Sequence, residues 1–359
     1  MLWDIFCKVI DNHGDIGVTW RLASQLAGRG HAVRLHVDDA SALQWMAPHG
    51  ARGVEVLAWP QAGRTFEPAD AVVEAFGCEL DADTQRAIAH CKPQPAWINL
   101  EYLTAEAFGQ RNHRLASPVL SGPAAGCTKH FFYPGFTPAT GGLLRETGLA
   151  VAQESFDRVS WLAAQGVDAT LPAVSLFCYE PELLVPWLRL LASAHSKTTL
   201  LVTAGRAGKA VARAVGDLTK EAPSWNAGER VVLHRLPLLT QHEYDHLLWA
   251  CDFNFVRGED SLVRALWAGQ PFVWQIYPQH DNAHHAKLEA FLAWLQAPAS
   301  MRAFMRAWNG IVPASEATLR PSRPDLLQWR ECVQAARSRL LQRDDLASQL
   351  IAFCESLRP

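Results

Sequence analysis

The 359-residue chain has no pair of cysteines at C-x-x-C spacing. Its eight cysteines stand apart at 7, 78, 91, 127, 178, 251, 332 and 354. That scatter excludes a zinc knuckle and a disulfide framework and fits reduced, buried thiols in a cytoplasmic protein. The opening residues, MLWDIFCKVIDNHGDIG, lack a basic stretch and a cleavage site, so no leader is expected. No run approaches 18 uninterrupted apolar residues, which excludes a spanning helix. Net charge is small: 33 Lys and Arg against 36 Asp and Glu, or −3. Such a chain has no global pull toward nucleic acid or anionic lipid. There is no short repeat and no low-complexity tract. The dinucleotide fingerprint G-x-G-x-x-G is missing, as is the phosphate loop G-x-x-x-x-G-K-[ST].

What is present is an apolar content of 49% with only 19% charged residues, enough for a substantial core. The length favours two domains. Strand-like and helix-like segments alternate. Trp3–Val9 is followed by a polar loop at Asp11–Gly17, a helical pattern at Val18–Ala27, a glycine stop at Gly28 and Gly30, and a strand at Ala32–Val37. Val54–Trp59, Ala71–Phe76 and Pro95–Leu100 read as strands and Ala82–His90 as a helix. The connection between domains falls between Gly141 and Leu171, with a helix around Glu154–Ala164. A second series follows, with strands at Ala173–Cys178, Thr198–Thr203, Arg230–Leu233, Phe253–Val256 and Phe272–Ile276. Its helices are Pro181–Ala194, Ala207–Val215, Gln241–Ala250, Asp260–Ala268 and Asp281–Leu295. Long helical patterns at Asp325–Leu341 and Asp344–Leu357 close the chain. This rhythm implies an α/β protein with two doubly wound parallel sheets. Ligands of such sheets bind outside the carboxyl ends of the strands. We therefore expect the two domains to face a central cleft.

Two loops carry the chemistry. In the first, Asp11 and Asp15 lie four residues apart in a glycine-containing turn after the first strand. They can address one reactant, or serve as turn closer and helix cap. In the second, Arg257-Gly258-Glu259-Asp260-Ser261 joins a strand to an apolar helix that ends in Ala268-Gly269-Gln270-Pro271. A helix start of this kind offers free N–H groups and partial positive charge to a diphosphate. Ser261 can add a hydroxyl, and Glu259 can accept bonds from sugar hydroxyls. The alternative is a capping region whose acids complement the helix dipole.

Taken together, D-N-x-G-D-I-G-V at the start, F-x-Y-E within Leu176–Glu180, R-G-E-D-S-x-x-R-A at Arg257–Ala265 and Pro278-Gln279-His280-Asp281-Asn282-Ala283-His284 resemble the EarP family. That family comprises the rhamnosyltransferases acting on translation elongation factor P. The resemblance spans nearly the whole chain in the same order. It implies a GT-B fold of two Rossmann-like domains and transfer of rhamnose from dTDP-β-L-rhamnose to an arginine of elongation factor P, with inversion and without a metal. It implies Asp15 as base, Asp11 as an acceptor-orienting or structural partner and Glu259 as the donor-positioning carboxylate. Phe177 and Tyr179 match positions lining the thymine and deoxyribose pocket. Gly258, Asp260 and Ser261 match the diphosphate turn, and Arg257, Gln275 and Asn282 match further donor positions. Residues 1–150 would bind the protein acceptor and 151–340 the donor. A terminal helix in 341–359 would pack back on the first domain.

Other signals are weaker. His280, His284, His285 and Asp281 include a metal-like i, i+4 spacing, but H-E-x-x-H is absent and a polar helix entry fits better. Arg206 after Thr203-Ala204-Gly205 reads as a solvated loop residue rather than a phosphate ligand. Most of the fourteen tryptophans read as packing. The Arg330–Arg343 segment reads as an exposed helix face. Competing expectations are a GT-B enzyme with a lipid or small-glycan acceptor, and a noncatalytic nucleotide-sugar-binding or translation-factor-binding module.

Overall fold

The structure is a computed structural model and describes residues 1–9, 13–60, 66–278 and 283–358. The chain divides into two compact units. One comprises Met1–Thr147 with Leu340–Pro359, and the other is Gly148–Arg339.

In the first unit the elements run β1 (Leu2–Cys7), α1 (Gly14–Gly28), β2 (Ala32–Val37), α2 (Leu43–Met46), β3 (Val54–Ala58), β4 (Ala71–Ala75), α3 (Ala82–His90), β5 (Ala96–Leu100), α4 (Ala107–Asn112), β6 (Ala116–Pro118) and β7 (Thr128–Phe132). The sheet order is β3-β2-β1-β4-β5-β7-β6, parallel except for the β6–β7 pair. β1 and β4 are apolar, covered on both faces, and buried almost end to end. Asp4 is the exception inside β1. It takes two hydrogen bonds from Arg34 at 2.6 and 2.7 Å, one from the Ala69 amide at 2.8 Å, and lies 2.9 Å from His36 Nε2. Burial opposes its charge, but these hydrogen bonds together outweigh burial and lower its pKa.

The second unit contains α5 (Leu149–Glu154), α6 (Arg158–Ala164), β8 (Ala173–Leu176), α7 (Leu184–Ala192), β9 (Thr198–Val202), α8 (Arg206–Glu221), β10 (Val231–Arg235), α9 (Gln241–Ala250), β11 (Phe253–Arg257), α10 (Asp260–Ala268), β12 (Phe272–Gln275), α11 (Ala283–Leu295), α12 (Ala299–Trp308), α13 (Glu316–Leu319) and most of α14 (Arg323–Leu341). Its sheet is parallel throughout, in the order β10-β9-β8-β11-β12. α9 and α10 are tied by a buried bidentate pair, Arg264 to Asp245, with both contacts at 2.7 Å. α10 stops at Gly269, whose φ of 73° is the left-handed conformation that glycine adopts without a Cβ penalty.

The chain then returns to the first unit. Arg145 donates to the Leu341 and Arg343 carbonyls at 3.2 and 3.0 Å, and Arg343 donates to the Phe136 carbonyl at 2.6 Å. Gly142, at φ 75°, lets this segment approach: a Cβ there would stand 2.7 Å from the Asp344 carbonyl. The last helix, α15 (Leu346–Ser356), buries Leu346, Ala347, Leu350 and Cys354 in the first unit's core.

Several sequence expectations differ from the structure. The helix expected from Val18 starts at Gly14, so only the residues up to His13 precede it. Gly14 and Gly17 carry no side chain that periodicity could register. The single helix expected around Glu154–Ala164 is two, because Asp157 caps α6 by accepting from the Val159 and Ser160 amides. The strand at Thr128–Phe132 and the helix at Ala299–Trp308 had no counterpart in the sequence reading.

Candidate active site

Both sheets have a switch point, where strand order reverses and a crevice opens beyond the carboxyl ends. In the first sheet it lies between β1 and β4, and in the second between β8 and β11. The residues that sequence reasoning singled out flank these two places.

In the second unit, β8 runs into Phe177 and Tyr179, and β11 into the Arg257–Ser261 corner. Gly258 turns the corner at φ 64° and leaves room for Tyr179, whose hydroxyl would be 3.4 Å from an added Cβ. Trp274 Nε1 fixes the turn by donating to the Gly258 carbonyl at 2.7 Å. The Ser261 hydroxyl accepts the Arg257 amide at 2.9 Å and donates back to the Arg257 carbonyl. It is spent on the corner itself, which leaves backbone amides, rather than that hydroxyl, to meet an anion. Glu259 precedes α10 and makes no side-chain cap. Its carboxylate is paired with Lys287 of α11. Asp260 is the first residue of α10 and is half-buried.

The aromatic positions hold a guanidinium. Arg257 stands 4.4 Å over the Phe177 ring and 4.6 Å over that of Tyr179. Burial lowers the Arg257 pKa, and among the described residues its Nη1 is buried without a hydrogen-bond partner. Tyr179 is 4% exposed, and burial pushes its phenol up to about 12 against the pull of Arg257 and Arg206. Gln275 braces this strand end by accepting the Tyr179 amide at 2.8 Å. Arg206 is also part of the site's wall: it lies 4.8 Å over Tyr179 and pairs with Glu180, which lowers the Glu180 pKa. The corner thus combines a helix N-terminus, a buried cation and aromatic faces, a set suited to an anionic nucleotide.

In the first unit, Asp15 is half-buried in the first turn of α1, beyond the end of β1. Its carbonyl accepts the Thr19 hydroxyl at 2.9 Å. The thiol of Cys7, which ends β1, is raised to about 12 by burial, with the Asp15 and Asp38 charges adding to the effect. Asp15 therefore places negative charge beside the first switch point. Asp11, Gln279, His280, Asp281 and Asn282 lie outside the described residues. Of the histidine cluster, His284 is buried and its ring centre is 4.2 Å from that of His285. No group of three or more His, Cys, Asp or Glu that could hold a metal occurs among the described residues.

The model of the elongation-factor P (EF-P) rhamnosyltransferases, EarP, matches residues 3–355. The chain belongs to the EarP family. A protein-arginine rhamnosyltransferase of Pseudomonas putida is 43% identical, over 98% of each chain. A solved structure concerned with EarP-mediated arginine glycosylation of translation elongation factor EF-P is 32% identical, covers 99% of each chain and has a TM-score of 0.65. A glycosyltransferase from Rickettsia africae shares the fold alone, at 8% identity and a TM-score of 0.51. The fold is GT-B: two doubly wound parallel sheets, as the EarP motifs implied.

Sequence reasoning missed Lys287. The one signal for it is that it is the single lysine or arginine of α11, AHHAKLEAFLAWL, and only packing reveals that it meets Glu259. The structural work of Gln275 and Ser261 was likewise hidden, because both bond to backbone atoms whose positions the sequence does not state.

Proposed function

We propose that this chain moves rhamnose from dTDP-β-L-rhamnose to an arginine side chain of translation elongation factor P, with inversion, in the cytoplasm and without a metal. Residues of the first unit would bind the protein acceptor and those of the second the nucleotide sugar. The observation that carries this reading is the corner at the second switch point. There the α10 N-terminus, Arg257 and the Phe177 and Tyr179 rings lie together, the groups that an anionic nucleoside diphosphate calls for.

Inversion needs one in-line attack, so one base suffices. The nucleophile is the difficulty. A guanidinium has a pKa above about 12 and a carboxylate one near 4. Holding a neutral guanidine against that gap of about 8 units would cost roughly 11 kcal/mol at about 1.4 kcal/mol per unit. Asp15 instead aligns the charged guanidinium through charge-assisted hydrogen bonds and accepts the proton late, as the C–N bond forms and the nitrogen becomes acidic. The bond from the anomeric carbon to the diphosphate oxygen breaks as negative charge builds on dTDP. The α10 dipole and the nearby Arg257 and Lys287 cations oppose that charge. Glu259, held by Lys287, is directed to the sugar hydroxyls.

Intact mass of elongation factor P after incubation with the enzyme and dTDP-rhamnose tests the reading. The expected result is a gain of one deoxyhexose that fragmentation assigns to an arginine. No gain, or a gain on another residue type, overturns it.

A further inference from the structure

The first switch point has a second wall that none of the motifs includes. Phe76 follows the last residue of β4, and Glu101 and Tyr102 follow that of β5. Phe76 adopts φ 58°, a left-handed conformation that costs a bulky residue energy and is found where surrounding structure enforces it. The enforcement is visible: the Phe76 amide donates to the Leu100 carbonyl at 2.8 Å, and the ring stacks on Tyr102 with centres 4.8 Å apart and planes at 22°. Phe76 is buried beneath the pair, whereas Tyr102 is 41% exposed.

Glu101 lies beside this platform, half-buried. Asn99 Nδ2 donates to it at 2.9 Å, and its own amide donates to the Phe132 carbonyl at 3.0 Å. Among the described residues no cationic side chain pairs with it. This separates it from the other buried acids of the same sheet, since Asp4 has Arg34 and Glu74 has Lys129. Burial raises the Glu101 pKa, with only the Asn99 and Tyr102 hydrogen bonds opposing. A half-buried carboxylate without a cation is costly until a cation arrives. β4 alone separates β5 from β1, so the strand ends carrying Glu101 and leading to Asp15 are about 10 Å apart. A guanidinium can bond two carboxylates through different edges of its plane and stacks on an aromatic face as an ammonium does not.

We propose that Glu101 and the Phe76-supported face of Tyr102 receive the guanidinium of the acceptor arginine, across the first switch point from Asp15. This rests on the arginine-transfer reading above and names the part of the site that selects arginine. Glu101 would take one edge of the plane and Tyr102 its face, turning the remaining nitrogen toward Asp15.

The test compares wild-type enzyme, Glu101→Gln and Tyr102→Leu in transfer to elongation factor P, varying acceptor and donor separately. It also measures binding of elongation factor P whose target arginine is replaced by glutamine. Loss of one charge-assisted contact predicts an acceptor KM raised about tenfold to a hundredfold in Glu101→Gln, and loss of the cation–π face a rise of about twofold to thirtyfold in Tyr102→Leu. Donor KM and melting temperature stay those of wild type. The Arg→Gln acceptor is expected to bind wild type more weakly than the unmodified acceptor does, and that difference is expected to shrink at Glu101→Gln, where Tyr102 and Asp15 still meet the arginine. If wild type transfers but both variants keep its acceptor KM, or the two acceptors differ as much at Glu101→Gln as at wild type, the inference is wrong while the function stands. If wild type transfers nothing, both fall. Should Glu101→Gln fold poorly, Tyr102→Leu decides, since Tyr102 is exposed.

Discussion

Asp15 is the carboxylate assigned to take a proton late in the reaction, and this separates it from its neighbours. Asp15→Asn keeps the shape of the side chain and its hydrogen-bonding reach but removes the basic oxygen. Single-turnover transfer is expected to fall by about 10²–10⁴-fold, with dTDP-rhamnose binding unchanged. Unchanged transfer would remove Asp15 as base, and lost donor binding would make it a donor ligand. Glu259→Gln is different, because it also releases Lys287 from its ion pair. Turnover is expected to fall together with donor affinity, read from rates at varied donor concentration; full activity would reject the assigned role. Gly258 is a purely conformational case. At φ 64°, with the Tyr179 hydroxyl 3.4 Å from where a Cβ would sit, Gly258→Ala is expected to cost about 1–2 kcal/mol of stability. A denaturant midpoint shared with wild type would show that the turn relaxes instead.

At the level of elements, the join between α4 and β7 carries a pH dependence. His113 follows α4 and accepts the Tyr133 amide on Nδ1 at 3.1 Å, and among the described residues its Nε2 is buried without a partner. Burial, with Arg114 nearby, lowers its pKa from 6.5 to about 4. Above pH 6.5 the ring is neutral in both folded and unfolded chains and has no effect. Between 6.5 and about 4 the unfolded chain takes a proton that the folded chain refuses, so stability falls with pH across that window. Urea midpoints measured at pH 7 and pH 5 should drop more for wild type than for His113→Asn, and equal drops would sink the idea. The same join shows what the sequence could and could not disclose. α3, α9 and α10 match their expected bounds because caps and stops bracket them: Asp81 and Thr240 accept amides at two starts, and Gly269 closes the third. β7 was illegible because half-buried Lys, His and Phe give it neither alternation nor an apolar run. The donor corner was legible because glycine, acids and a helix start are local in sequence. Glu101, Tyr102 and Phe76 were not, since only the order of β1, β4 and β5 brings them to one crevice.

Across the whole molecule, the chain's end belongs to its beginning. α15 lies more than 300 residues from β1 in sequence, yet Leu346, Ala347, Leu350 and Cys354 share a core with Trp3, Ile5, Leu22 and Leu35. Asp345 reinforces this by accepting two hydrogen bonds from Arg29, at 2.8 and 2.7 Å, and the Leu346 amide donates to the Leu143 carbonyl at 2.9 Å. Two fully buried leucines alone represent about 3–6 kcal/mol of transfer free energy, a large share of the 5–15 kcal/mol that holds a typical domain together. Ending the chain after Asp345 should therefore unfold or loosen the first sheet. It should leave the second unit's own core intact, because Leu162, Leu201 and Leu247 pack with residues of that unit only. Hydrogen exchange read by mass spectrometry separates the two outcomes: β1, β2 and α1 are expected to lose protection while β8, β9 and β11 keep it. Retained protection in β1 would mean that the sheet closes without its last helix, and a loss spread evenly over both sheets would mean that the two units do not fold as separate cores.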